Sequence, residues 1–114
     1  MTIRCLTLKP GEALYPEYVA SDPWEFQRVL GGFFTQLPGW CLDLPAGVVA
    51  YIREGDFPEQ LSAAGVRANF TVATGEVIRG TMLITAVDDE GRGRALTGLE
   101  ESEVRKAVAE KLGR

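Results

Sequence analysis

Residues 21–34 read SDPWEFQRVLGGFF, a helix signal that passes directly into a strand signal. Asp22 or Ser21 can accept hydrogen bonds from the first amides of a helix. Pro23 suits the first helical position because the ring presets the helical φ and the missing N–H has no partner there. The pattern predicts a short helix over Pro23 to Leu30.

The same stretch predicts which side of this helix is buried and where the helix ends. Its apolar residues recur at spacings of three, four and seven, which lays them on one face; they are Phe26, Val29, Leu30 and Phe33. Gly31 and Gly32 then stop the helix, with Gly31 expected in the left-handed conformation that a side chain would oppose.

Strand signals lie on both sides of this helix. Thr2 to Leu8 alternates polar and apolar residues and predicts a strand. Ala13 to Val19 predicts a second strand, which Pro16 would confine to a sheet edge or a bulge because proline cannot donate to the ladder. These two segments suggest an opening hairpin.

Three further strand-like runs follow the double glycine, separated by turn residues: Phe33 to Leu37, Trp40 to Leu44 and Val48 to Arg53. The segment from Phe57 to Asn69 has mixed signals, and a helical turn around Glu59 to Ala64 is one alternative for it.

The last third of the chain predicts a hairpin and a helix. Thr71 to Thr74 is a candidate short strand, and Val77 to Val87 is a stronger one. A polar tip over 88–93 then allows Arg94 to Thr97 to pair back. Thr97 and Glu100 form a capping-box pattern that opens the final helix, which Gly113 ends. The predicted apolar stripe of this helix comprises Leu99, Val104, Val108 and Leu112, with Ala107 beside them.

The whole pattern predicts one α+β domain over residues 1–114. Its core would be a mainly antiparallel, twisted sheet of about five to seven strands, carrying a short helix from the first half and the C-terminal helix.

Composition narrows the functional classes. The chain has no histidine, the side chain most used as a general base and metal ligand near neutral pH, so we predict no catalytic residue, cofactor or metal site. A net charge of −4 disfavours a sequence-independent grip on nucleic-acid backbone. Without a signal peptide or an apolar run long enough to span a bilayer, the cytoplasm is the expected compartment. Cys5 and Cys41 lie in apolar runs and are expected to be buried, reduced thiols.

Four segments in order resemble one family along nearly the whole chain. They are VLGGFF at 29–34, VAYIREG at 49–55, Asn69, and IRGTMLI at 78–84. Together they resemble the small bacterial and phage domain of unknown function numbered thirty-eight forty-six, although Arg53 stands where that family usually has asparagine. The resemblance implies a setting among accessory genes of phages and mobile elements, and no activity.

The leading functional hypothesis is a non-enzymatic accessory or regulatory protein that binds another protein. Phe33 and Phe34 are adjacent in a predicted strand, so their side chains point to opposite sheet faces and one of them needs a second cover. A helix, a loop or another protein could supply it. Aromatic residues are enriched in protein interfaces, so the candidate partner-binding residues are Phe33, Phe34, Trp40 and Tyr51.

Two alternatives stay open. A nucleic-acid or nucleotide binding module would use Arg79, Arg92 and Arg94. A carboxylate-dependent enzyme would use acids such as Asp43, Glu54 or Asp56, alone or with a bound metal, because hard cations can be held by carboxylates and water without histidine. Glu54, Asp56 and Asn69 also form a candidate ligand site, which competes with the simpler interpretation of a turn. The sequence leaves the partner and the oligomeric state undetermined.

Overall fold

Alternating strands and two capped helices build the protein, as seen in a computed structural model that describes residues 2–37, 41–53, 68–71, 75 and 77–114. The strands are β1 (Thr2–Leu8), β2 (Tyr15–Ala20), β3 (Phe34–Gln36), β4 (Val48–Arg53), β5 (Ala68–Thr71), β6 (Val77–Arg79), β7 (Met82–Val87) and β8 (Gly93–Arg94). The helices are α1 (Pro23–Leu30) and α2 (Gly98–Leu112).

Six of the strands form one antiparallel sheet. Its order is β2-β1-β7-β4-β3, with β8 paired to the end of β7 beside β1, and β5 pairs with β6 in a separate two-stranded sheet. The predicted α+β class, the mainly antiparallel sheet and the two helices are therefore confirmed. Pro16 lies on the edge strand β2, as its missing N–H requires.

The pleat divides the core of the main sheet between its two faces. Alternate residues of the central strands β1 and β7 point to opposite sides. Leu6, Met82 and Ile84 belong to the larger cluster with Val104 and Val108 of α2. A smaller cluster comprises Ile3, Cys5, Val19 and Leu83 with Phe26 and Leu30 of α1. Each helix thus covers one face of the sheet.

Local signals account for the bounds of α1. The Asp22 side chain accepts a hydrogen bond from the N–H of Trp24 at 2.8 Å, and Pro23 takes the first turn. Gly31 ends the helix with φ at 87°, and its N–H donates to the Gln27 carbonyl at 2.7 Å. The predicted helix over Pro23 to Leu30 is confirmed at both ends.

The structure corrects the predicted strand at Trp40 to Leu44. Trp40 lies outside the described residues, and 41–44 form no strand. Cys41 and Leu42 are both buried in the larger cluster. Consecutive residues that enter the same core do not alternate as strand residues must, so this segment packs as an irregular connection between β3 and β4.

Other predicted strands shift or divide. The long strand predicted over Val77 to Val87 is two strands in different sheets, because the chain turns at Gly80 with φ at 74°. The strand predicted at Thr71 to Thr74 begins earlier, as β5, and 72–74 lie outside the described residues, as does the segment 57–67. The second strand begins two residues later than predicted, at Tyr15.

The predicted stripe of α2 is wrong at one position. Val104, Ala107 and Val108 are buried, whereas Leu99 is 72% exposed. Leu99 precedes Val108 by two and a half turns at about 3.6 residues per turn, so the two side chains leave opposite sides of the helix. The predicted capping box between Thr97 and Glu100 is present in both directions.

Two carboxylates in the first turn of α2 tie the helix to the sheet. Glu100 accepts two hydrogen bonds from Arg94 of β8, each 2.8 Å long, and Glu101 accepts from Arg4 of β1 at 2.7 and 3.2 Å. These arginines, together with the Thr97 N–H for Glu100 and Arg105 for Glu101, lower the pKa of both carboxyls to about 2.

We therefore expect the free energy of unfolding to fall as the pH drops from about 4.5 towards 2. Both carboxyls have a pKa near 4.5 in the unfolded chain, so the unfolded state binds protons at a higher pH than the folded state does. Proton binding therefore stabilises the unfolded state relative to the folded state. Urea denaturation at a series of pH values measures this loss. An E100Q/E101Q double variant should be less stable at pH 7, and its free energy of unfolding should depend less on pH between about 4.5 and 2. If the double variant shows the same pH dependence as the parent, these two carboxyls are not its source.

Candidate functional site

A cleft of about 280 Å³ opens on the face of the sheet that α1 covers. Four parts of the fold meet there: the start of α1, strand β3, strand β4 and the turn from β7 into β8. Its lining comprises Ser21–Pro23, Phe26, Phe34, Tyr51 and Gly91–Gly93. We call it the aromatic cleft.

Three rings form the apolar wall of the aromatic cleft. The ring centroids of Phe34 and Tyr51 lie 4.9 Å apart with the planes at 66°, and Phe26 stands 5.9 Å from Phe34 at 67°. Phe26 and Tyr51 are 5.8 Å apart at 34°. The first two pairs have the edge-to-face geometry that aromatic quadrupoles favour, so the rings hold one another in place.

Each ring reaches the cleft for a local reason. Phe26 is on the buried stripe of α1 and is 5% exposed. Phe34 and Tyr51 come from the paired strands β3 and β4, where Phe34 is opposite Arg53 and Gln36 is opposite Tyr51. Phe34 and Tyr51 are therefore diagonal neighbours on one sheet face, within reach of each other.

The polar side chains of the cleft are largely bonded within the protein. The Ser21 hydroxyl donates to the Gly93 carbonyl at 2.6 Å and joins the start of α1 to β8. Asp22 caps α1, and the Arg92 guanidinium pairs with Glu90. Burial raises the pKa of the Tyr51 hydroxyl, which keeps that group neutral. The cleft therefore offers apolar surface with a polar rim rather than converging reactive groups.

Gly93 is required for the closeness of this packing. A Cβ at this position would lie 3.0 Å from Cζ of Phe26, 3.2 Å from Cδ1 of Ile3 and 3.3 Å from the Ser21 hydroxyl. A side chain here would push Phe26 out of its place against Phe34 and Tyr51. No signal in the sequence marks Gly93 more than the other turn glycines, and it was missed as a site residue.

Two exposed aromatic residues flank the cleft. Trp24 is 75% exposed and follows Pro23, and Phe33 is 69% exposed and precedes Phe34. Each is therefore the chain neighbour of a lining residue, with its Cα about 3.8 Å from that residue's Cα. The backbone positions of both exposed aromatic residues therefore border the cleft, although neither residue belongs to its lining.

The structure brings together part of the predicted partner-binding set. Phe34 and Tyr51 share the cleft, Phe33 lies exposed beside it, and Trp40 is outside the described residues. Of the two adjacent phenylalanines, Phe34 faces inward, because it packs against the smaller cluster.

Asn69 has an internal role among the predicted ligand-site residues. Its amide nitrogen donates to the carbonyls of Leu8 at 2.8 Å and Gly80 at 2.7 Å. Its amide oxygen accepts from Arg114 at 2.5 Å, and only 8% of the residue is exposed. Glu54 and Asp56 lie outside the described residues, so a ligand site built with them stays a prediction.

The three predicted phosphate-binding arginines are distributed over two sheets. Arg79 is on β6 of the two-stranded sheet, whereas Arg92 and Arg94 belong to the β7–β8 hairpin of the main sheet. Arg94 is held by both oxygens of Glu100, and Arg92 pairs with Glu90. Two of the three charges are thus offset by neighbouring carboxylates.

The thiols and the remaining acids show no reactive grouping among the described residues. Cys5 and Cys41 are buried and form no disulfide, as predicted, and desolvation raises the pKa of the Cys5 thiol, the opposite of what a nucleophile needs. Asp43 is exposed and pairs with Lys111 at 3.0 Å. In the described part of the chain, no three acidic or cysteine side chains gather as a metal site would need.

Comparisons with known protein families, curated proteins and solved structures find no match to this chain. The resemblance to the small bacterial and phage domain therefore stays a prediction. Neither α1 nor α2, the helices of the described ranges, is long and apolar enough to cross a membrane.

Proposed function

We propose that this protein acts by binding another protein through the aromatic cleft and the two exposed aromatic residues beside it, Trp24 and Phe33. The observation that supports this most directly is a cleft walled by three packed rings, with an exposed aromatic residue next in the chain to Pro23 and another next to Phe34. As part of the same proposal, it is a non-enzymatic accessory or regulatory protein of phage or mobile-element type that works in the cytoplasm.

The character of the surface favours a protein partner over a small substrate. The volume of about 280 Å³ is just under the range of about 300–1,000 Å³ typical of small-molecule pockets. Ser21 and Asp22 use their oxygens within the fold, which leaves few directed polar groups for orienting a substrate. Exposed tryptophan and phenylalanine next to a packed apolar depression are the usual anchors of a protein interface.

Nucleic-acid binding through Arg79, Arg92 and Arg94 is the weaker proposal. Phosphate recognition uses clustered cationic groups, whereas Arg92 and Arg94 here pair with Glu90 and Glu100. Opening those ion pairs would add to the cost of binding. If the parent protein shows no salt-sensitive binding to DNA or RNA, this alternative is excluded.

A W24A/F33A double variant is expected to lose the partner while keeping its fold. Affinity purification from the native host with the parent as bait should recover a stoichiometric protein, and the double variant should retain less than about a tenth of it, since an anchor residue contributes about 2 kcal/mol or more. Both side chains are exposed, so thermal unfolding should change little.

Leu99→Ala is the matched control. Leu99 is 72% exposed, and it lies on α2, which covers the opposite face of the sheet. The substitution therefore removes a similarly exposed apolar side chain that lies away from the cleft, and it should leave the amount of recovered partner unchanged. Equal recovery with the parent and the double variant, or loss with L99A alone, would refute the proposed surface.

A further inference from the structure

Strand β3 lies at an edge of the main sheet, and part of its backbone points outward. Among the described residues, β4 is its one strand neighbour. The Leu37 N–H donates to the carbonyl of Ala50 at 2.8 Å, and Thr35 is opposite Ile52. Because hydrogen-bonded positions alternate along an antiparallel strand, Leu37 and Thr35 face β4. The N–H and C=O groups of Phe34 and Gln36 consequently point away from the sheet.

The two edges of the main sheet differ in how they are protected. The opposite edge, β2, contains Pro16 and Glu17. Proline removes a donor and a charge disfavours strand addition, which are common ways of protecting an edge. Strand β3 reads Phe-Thr-Gln and contains neither a proline nor a charge. The edge strand that lacks both proline and charge is the one that borders the aromatic cleft.

Phe34 joins this edge to the aromatic cleft. Its backbone belongs to the outward-facing pair, and its side chain is one of the three packed rings. A strand added beside β3 would place the side chain opposite Phe34 on the same sheet face, in contact distance of the ring. Backbone pairing and apolar recognition therefore meet at one residue.

We propose that β3 accepts an extended segment of the partner protein as an additional strand, with one apolar side chain of that segment packed on Phe34 at the border of the aromatic cleft. This rests on the proposed function and specifies its mode. Main-chain hydrogen bonds supply affinity in such complexes, and the pocket beside the strand supplies specificity.

A second copy of this chain fits the edge less well. A two-fold axis through Thr35 would match the outward groups of Phe34 with those of Gln36 in the other copy. The side chain opposite Phe34 would then be the Gln36 amide, which offers no apolar group to the ring. A two-fold axis through Phe34 would set ring against ring, but Gln36 would then lie opposite Gly32, whose N–H already donates to the Gln27 carbonyl at 2.9 Å. A foreign segment with an apolar residue opposite Phe34 satisfies both the backbone of β3 and the ring.

The test uses random twelve-residue peptides displayed on phage and selected against the intact protein. We expect selected peptides to share an apolar residue within a β-prone, extended sequence. For a synthesised peptide, Gln36→Pro should weaken binding by about tenfold or more, because it removes one outward N–H and leaves the bonds to β4 in place. Gln36→Ala keeps that N–H and should bind within about twofold of the parent.

A measurement on the peptide covers the case in which the proline variant folds poorly. Methylating the peptide amides one at a time should weaken binding at alternate positions, because only every second N–H of an added strand faces β3. The proposal is overturned by the absence of selectable peptides, by equal binding to Q36P and Q36A, by methylation effects without alternation, or by a parent dimer that Q36P dissociates.

This test separates the binding mode from the proposed function. If the host partner is lost with W24A/F33A and retained by a folded Q36P, protein binding stands and strand addition is refuted. If neither variant changes the recovered partner, both are refuted.

Discussion

Phe26→Ala is expected to lower the free energy of unfolding by about 3–5 kcal/mol, the range for removing a buried phenylalanine. Phe26 is 5% exposed and contacts both Phe34 and Tyr51, whose rings pack on it at 5.9 and 5.8 Å. Its loss removes transfer energy and leaves a cavity that the rigid strands β3 and β4 fill only partly. Urea denaturation followed by far-ultraviolet circular dichroism measures the change.

Trp24→Ala provides the control on the same helix. Trp24 is larger than Phe26 but 75% exposed, so its removal should change the free energy of unfolding by no more than about 0.5 kcal/mol. A loss below about 1 kcal/mol for F26A would mean that the α1 side of the sheet is not a packed core. The same result would mean that the three rings do not form a preformed wall of the aromatic cleft.

Elements with strong local signals were predicted to the residue. The bounds of α1 follow from Asp22, Pro23 and Gly31, which act through bonds and φ values inside the helix itself. Strands β1 and β4 were also predicted with the observed bounds, since each shows a clear apolar pattern between turn residues. In these cases, interactions between residues close together in the sequence determine the structure.

Errors arose where contacts distant in sequence decide the structure. Residues 77–87 read VIRGTMLITAV, in which residues 79–81 separate two apolar runs. Gly80 is a local sign of an interruption, but only pairing distant in sequence assigns β6 to β5 and β7 to β1 and β4. The connection containing Cys41 and Leu42 was likewise mistaken for a strand because both conformations bury apolar residues.

The aromatic cleft could be predicted only in part. Adjacent aromatic residues at 33 and 34 implied that one of them needs cover, and the sequence placed Tyr51 in the same group. The contribution of Ser21 and Gly93 depends on the approach of the β7–β8 turn to the start of α1, a contact between residues 72 positions apart. That approach is a property of the folded sheet and has no signature in either segment.

The buried side chain of Asn69 joins several parts of the fold. It links the end of β1 to the turn at Gly80 by two donated hydrogen bonds, and it receives one from Arg114. The Arg114 guanidinium also donates to the carbonyls of Lys9 at 2.6 Å and of Asn69 at 2.9 Å. One amide side chain thus connects three chain segments that lie far apart in sequence.

Asn69→Asp is expected to lower the free energy of unfolding by about 2–4 kcal/mol at pH 7, since each buried carbonyl left without a donor costs about 1–3 kcal/mol. The carboxylate has the same shape and still accepts from Arg114, so the variant removes the two donated hydrogen bonds and sets a carboxylate oxygen against the two carbonyls. Gln36→Glu makes the same chemical change at an exposed position and should shift the free energy of unfolding by at most about 0.5 kcal/mol. Equal stability of the two variants in urea denaturation would show that water replaces the Asn69 donors, and the asparagine would then be available for a role outside the fold.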